Sequence, residues 1–330
     1  MKKSLFISVC IVFFVGVLVL YRYPKISVEQ KIYRVGIPKP LPTLLPAFEG
    51  FKTGMKNQGY EEGKNISYAI IEEGANPAET KERLEKFILE KPDLIYVLGV
   101  NAARDAKELS AKDDPTLPIV FAVVSDPVGN GLVADLRSSG NNLTGVSGGN
   151  DIIAAKRVEL FLELVPRTKR IIFIWNNALT TGIEHVRKAV AAAQGVELVE
   201  HHVQSEADVD AYLLTFSPQE GDALFRAPDS VLARRVKKLS EWTLAHNIPL
   251  VGTNSDDVRL GALMSYGADF EQIGEQAAEF ADHILKGAKP ADIPVAYPAR
   301  YEFVLNTQTA EKLGMTFSPD ALANVDKYVP

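Results

Sequence analysis

The chain has 330 residues, enough for two domains of ordinary size, and is 46% hydrophobic and 24% charged. Its formal net charge is −6, and removing Lys2, Lys3, Arg22 and Lys25 with the first 25 residues makes the remainder more acidic still. An acidic body without a Lys/Arg cluster excludes a nucleic-acid partner, and a single cysteine, Cys10, excludes disulfides, thiolate metal sites and a thiol nucleophile beyond it. At the N-terminus, Lys2 and Lys3 precede an uncharged run from Leu5 to Tyr21, LFISVCIVFFVGVLVLY, followed by Arg22, Tyr23, Pro24 and Lys25. At 1.5 Å per residue this run is about 25 Å of helix, the short end of a membrane span. No small-x-small triplet follows Leu20, so the segment reads as an uncleaved transmembrane anchor rather than a cleaved signal. Either reading exports the rest to the periplasmic or extracellular face, anchored by residues 5–21 to the cytoplasmic membrane or secreted after cleavage. Ile7-Ser8-Val9 before Cys10, and the apolar residues after it, do not suit a lipidation site.

From residue 31 apolar strands alternate with amphipathic helices. Strands are expected at Lys31–Ile37, Asn65–Glu72, Asp93–Leu98 and Leu117–Val124, with helices at Pro46–Gly59, Pro77–Glu90 and Asn101–Lys112 between them. Leu143–Val146 reads as a crossover strand, leading through Gly148-Gly149 into a helix over Ile152–Leu164. The order then repeats. Strands Arg170–Trp175, Glu197–Val203, Asp222–Phe225 and Pro249–Gly252 alternate with helices Gly182–Gly195, Asp208–Phe216 and Asp229–Asn247. Arg34 and Arg170, like Gly59 and Gly195, lie 136 positions apart; Asp93 and Asp222 lie 129 apart, and Pro118 and Pro249 131. Alternation of this kind makes a parallel sheet covered by helices on both faces, and the near-constant offset makes two such units. A strand at Ala262–Tyr266, a helix at Phe270–Gly287 and a strand at Glu302–Asn306 complete the chain. If each late strand joins one lobe, the chain crosses between lobes more than once. The expected division is residues 1–25 anchor, 26–31 linker, 32–145 plus 262–287 lobe one, and 146–261 plus 288–330 lobe two. A cleft then lies between the lobes at the carboxyl ends of the strands.

The strings PTLPIVFAVVSDPVGNGLVADL, NNLTGVSGG, GALMSYGADFEQIGEQAAEFADHILKG and FVLNTQTAEKLGMTFSPDAL resemble the periplasmic substrate-binding proteins of ABC transporters. The resemblance is to the type I, Leu/Ile/Val-receptor-like fold, in the branch with a Pro-Ile-Val-Phe…Ser-Asp-Pro-Val motif, and spans about residues 32–325. It implies an α/β fold of two doubly wound lobes and a multi-crossing hinge. It also implies capture of a small organic solute, often an amino acid, and its presentation to membrane permease subunits. A ligand-sensing ectodomain that signals through a partner receptor is the alternative. No cofactor and no metal are expected.

Positions just past strand ends face the cleft by topology. In lobe one these are Lys39, Asn101 and Ala102 opening a helix, and Ser125 with Asp126; in lobe two, Trp175 and Asn177, Asp229 and Ser230, Thr253 and Asn254, and Tyr266. A helix N-terminus suits a carboxylate, an aspartate suits an ammonium group, and Trp175 and Tyr266 would supply aromatic walls. That inventory suits an amino-acid-like ligand.

Two motifs compete with this reading. Gly145-Val146-Ser147-Gly148-Gly149 matches the G-x-S-x-G nucleophile elbow, which would make Ser147 a hydrolase serine. Its place between lobes favours Gly145, Ser147, Gly148 and Gly149 as hinge backbone. Gly129-Asn130-Gly131-Leu132-Val133-Ala134 matches a dinucleotide fingerprint, but four residues separate its first glycine from the strand, so it reads as a turn. His201 and His202 are adjacent on a strand, point to opposite faces and cannot chelate as a pair.

Overall fold

The computed structural model describes residues 31–176 and 183–330, and Tyr33–Pro330 form one compact unit. The expected anchor, residues 5–21, and the candidate Asn177 lie outside the described residues; no described helix is long and apolar enough to cross a membrane. The first sheet holds β1 (Tyr33–Pro38), β2 (Ile66–Ile71), β3 (Leu94–Leu98), β4 (Ile119–Val124) and β5 (Leu143–Ser147) in the order β2-β1-β3-β4-β5, all parallel. Its residues alternate between two helix layers. Leu94, Tyr96 and Leu98 pack with Phe48, Phe51 and Ile273, whereas Ile95 and Val97 pack with Leu84, Phe87 and Ala106. The first layer is α1 (Leu45–Asn57) with a late helix described below; the second is α2 (Pro77–Leu89) and α3 (Val100–Asp113). Burial on both faces explains why β3 reads LIYVL without a polar residue.

After β5 come α4 (Asn150–Leu164), β6 (Arg170–Trp175), α5 (Ile183–Ala192), β7 (Glu197–His202), α6 (Glu206–Thr215) and β8 (Asp222–Arg226). They are followed by α7 (Ser230–Ala233), α8 (Val236–Ala245), β9 (Leu250–Gly252), α9 (Ser255–Arg259), β10 (Met264–Ala268) and α10 (Phe270–Leu285). The chain ends with β11 (Tyr301–Asn306), α11 (Thr307–Lys312), α12 (Pro319–Leu322) and β12 (Lys327–Val329). The second sheet runs β12-β11-β10-β9-β8-β6-β7, with β10 and β11 antiparallel. Its core order β7-β6-β8-β9 repeats the β2-β1-β3-β4 of the first sheet, so the two lobes share one plan. The single helix expected over Asp229–Asn247 is instead α7 and α8, broken where Arg235 turns to Glu206 and Asp210.

The late segments correct the expected lobe division. Met264–Ala268, placed with lobe one, lies in the second sheet between β9 and β11, because it pairs parallel to the first and antiparallel to the second. Both late strands therefore belong to lobe two. The helix after β10 does return to lobe one, and small residues are the reason. A Cβ on Gly50 of α1 would stand 2.0 Å from the Glu271 carbonyl, and one on Gly274 of α10 would stand 2.0 Å from the Ala47 carbonyl. Residues 295–296, placed with lobe two, hold on to lobe one through Val295 N–H to Leu136 O (2.7 Å) and Ala296 N–H to Gly145 O (3.0 Å).

The chain thus crosses between lobes three times, at Gly148–Gly149, at Asp269 and just before Tyr301. Of the expected hinge residues, Gly145 and Ser147 lie inside β5, paired with Phe121 and Val124, so the crossing begins only at Gly148. Gly149 adopts φ 66°, and a Cβ there would stand 2.1 Å from the Tyr301 hydroxyl oxygen, so the first and third crossings touch. Gly149→Ala should therefore cost about 1–3 kcal/mol through left-handed strain and this clash. Chemical denaturation checks it; an unchanged midpoint would contradict the contact.

Candidate functional site

A cavity of ≈ 220 Å³ occupies the cleft where the carboxyl ends of both sheets meet. Four expected residues of lobe one line it, Lys39, Asn101, Ala102 and Ser125, and four of lobe two, Asp229, Ser230, Thr253 and Asn254. Leu44, Leu98, Val100, Val123 and Phe270 supply its apolar wall. Asn101 Nδ2 donates to Ser230 Oγ at 3.3 Å, and Arg234 meets Glu73 at 3.1 Å, so side chains of the two lobes meet across the cleft.

Of the other expected residues, the described Asp126, Trp175 and Tyr266 lie outside the cavity lining. Asp126 sits at φ 44° and its Oδ1 accepts from Gly129 N–H at 2.7 Å, which closes the turn after β4 rather than lining the cavity. Trp175 ends β6, but its ring packs against His202 with the Arg187 guanidinium over it, out of the cavity lining. Tyr266 is not a strand end, since β10 continues to Ala268; its ring lies beside Tyr301. The aromatic walls expected from Trp175 and Tyr266 are replaced by Phe270 and aliphatic side chains.

The polar poles of the cavity differ in sign. The N-terminus of α3 follows Gly99 at φ 82° and no side chain caps it. First-turn N–H groups have no partner within their own helix, and here Val100, Asn101 and Ala102 line the cavity, which favours an anion. Opposite, Asp229 is buried. Its Oδ1 accepts from Leu232 N–H at 2.9 Å, capping α7, and its Oδ2 from Asn176 N–H at 3.3 Å. Lys39 is not a free cation: Glu72 holds its ammonium at 2.6 Å, and that hydrogen bond raises its pKa. Asn254 caps α9 through Asp256 and Asp257 N–H groups. At the end of β4 a register shift coincides with Val123 at φ 57°, a conformation a β-branched residue adopts only under strain, and Val123 lines the cavity.

Beneath the lobe-two wall lies a network that strand-end reasoning missed. Arg226, the last residue of β8, also lines the cavity and donates to both Asp257 oxygens, at 2.8 and 3.0 Å, and to Thr253 Oγ1 at 2.8 Å. Both members of the ion pair are buried. Arg157 of α4, also buried, donates through Nε to the Tyr266 carbonyl at 2.8 Å and through Nη2 to Asn150 Oδ1 at 2.7 Å. Burial, with the Arg226 charge nearby, pushes Arg157 down to about 10, still cationic at neutral pH. Asn150 in turn reaches Ser125 Oγ at 3.4 Å, joining this network to lobe one. Two signals were present in the sequence. Arg157 falls at helical spacing among the buried Ile153, Ala154, Val158 and Phe161, and Arg226 ends the otherwise apolar run ALF.

The family model for ABC transporter substrate binding proteins matches residues 35–329. The chain belongs to that family. It is 29% identical over 291 residues to a tyrosine-binding protein of Clostridioides difficile, covering 87% of this chain and 82% of the relative. Among solved structures, a conserved domain protein from Vibrio cholerae superposes with a TM-score of 0.79 at 28% identity, covering 91% of this chain and 100% of that one. An ABC domain in complex with L-Trp from Streptococcus pneumoniae gives 0.80 at 23% identity, with the same coverage, which shows the shared fold. As a solute-binding protein, the molecule has a cleft where the family architecture puts one.

Ser147 does not offer an exposed nucleophile. It is fully buried, its hydroxyl donates to the Val124 carbonyl at 3.0 Å, and it accepts from Gly149 N–H at 3.1 Å. The elbow motif is explained by this backbone crossing.

Breaking the buried pair from one side should be costly. Asp257→Ala strands the Arg226 charge and is expected to lose about 3–5 kcal/mol of stability, whereas Arg226→Met with Asp257→Leu should lose much less. Equilibrium denaturation of the two variants checks this, and equal losses would contradict it.

Proposed function

We propose that this substrate-binding protein captures a free amino acid with an aromatic side chain in the interlobe cleft and delivers it to ABC permease subunits. The observation that carries the reading is the pairing of poles on opposite lobes: uncapped N–H groups of α3 for the α-carboxylate and Asp229 for the ammonium group. Between them lies an apolar wall that suits a large hydrophobic side chain. Binding to both lobes at once favours the closed form by differential affinity. The tyrosine-binding relative and the L-Trp complex support an aromatic amino acid as the solute. The family works outside the cytoplasm, and the apolar run of residues 5–21 would hold the protein at the outer face of the cytoplasmic membrane. Delivery to a permease fits this location better than reception of a signal, because the family model spans nearly the whole described chain.

Isothermal titration calorimetry with L-tyrosine, L-tryptophan, L-phenylalanine and L-alanine tests the reading. The aromatic amino acids are expected to bind and L-alanine not. Asp229→Asn preserves a helix cap but removes the charge, and should weaken the tightest ligand about 10- to 100-fold. Unchanged affinity in this variant would contradict the role of Asp229.

A further inference from the structure

The cavity does not stop at the cleft. It continues into lobe one between α2 and α3, where Ile71, Thr80, Leu84 and Asp105 line it. Ile71 and Leu84 are buried in the apolar core under these helices, so the arm has a hydrophobic body. Its polar side chains are Thr80, Lys81 and Asp105, of which Asp105 is partly buried and accepts no hydrogen bond from any described residue. Lys81, facing it from α2, is held by Glu108 at 2.7 Å. Loss of water raises the Asp105 carboxyl above its ordinary value, the nearby Lys81 opposing the shift. A partly desolvated carboxylate of this kind gains most from a donor brought by the occupant of the cavity.

The spacing says what that occupant is. Asn101 and Asp105 are four residues apart on one face of α3, a rise of about 6 Å. A ligand whose carboxylate sits at the α3 N-terminus can lay its side chain along this face, apolar body against Ile71 and Leu84 and tip at Asp105. Six ångströms is the reach of a phenol side chain. Resting on the amino-acid reading above, we infer that Asp105 is the specificity-determining residue, accepting a hydrogen bond from the phenolic hydroxyl of L-tyrosine and so selecting it over L-phenylalanine.

Calorimetric titration of the wild type, Asp105→Ala and Asp105→Asn with L-tyrosine, L-phenylalanine and L-lysine tests this. The wild type should prefer tyrosine about 10-fold or more. Asp105→Ala should erase the preference while leaving phenylalanine affinity within about twofold, since the apolar body is untouched. Asp105→Asn should keep part of it, because its amide oxygen still accepts. Equal wild-type affinity for tyrosine and phenylalanine, a preference that survives in Asp105→Ala, or tighter binding of lysine would each overturn the inference while leaving amino-acid capture standing. Binding of none of the three would overturn both.

Discussion

A guanidinium group taken out of water must have its donors satisfied, and the cleft-facing wall of lobe two is built around that demand. Arg226 uses both oxygens of Asp257 and the hydroxyl of Thr253, so the ends of β8 and β9 and the start of α9 share one rigid position. Arg157 then draws α4 and β10 onto the same point, and its partner Asn150 touches Ser125 across the lobe boundary. Two cations and one carboxylate leave an excess of positive charge beneath the cavity, balanced by neutral oxygens rather than by a second acid. Burial of this kind contributes little net stability and is better understood as fixing geometry. The fixed geometry is the floor on which Thr253 and Asn254 line the cavity.

The second constraint is the triple crossing. Two lobes joined by one strand would be free to separate; joined by three adjacent segments they can only rotate about them. The close approach of Gly50 to Glu271 and of Gly274 to Ala47 pins α10 to lobe one although the strand before it belongs to lobe two. Gly149 lies against Tyr301, so the first and third segments pack as a unit.

Much of this was legible in the sequence because the signal was periodic. Apolar runs such as LIYVL and RIIFIW, and helices opened by Pro77 or ended near Gly59, fixed the alternation and with it the position of the cleft. Strand-end topology alone brought Lys39, Asn101, Ala102, Ser125, Asp229, Ser230, Thr253 and Asn254 to the cavity. It failed where a boundary shifted by two residues, as at Tyr266, or where a side chain past the strand turned back on its own lobe, as at Asp126 and Trp175. The assignment of β10 was beyond local pattern, since strand pairing partners are chosen by the whole sheet. Arg157 and Arg226 were hidden for another reason: a charged residue on a buried face acquires meaning only when its partners, distant in sequence, are known.

The central claim is that one solute bridges the two lobes by its own charges. A crystal structure of the protein grown with L-tyrosine tests this most directly. The carboxylate is expected at the N-terminus of α3, the ammonium group within hydrogen-bond distance of Asp229, and the ring toward Asp105. A ligand bound in the reverse sense, or one held by a single lobe, would contradict it.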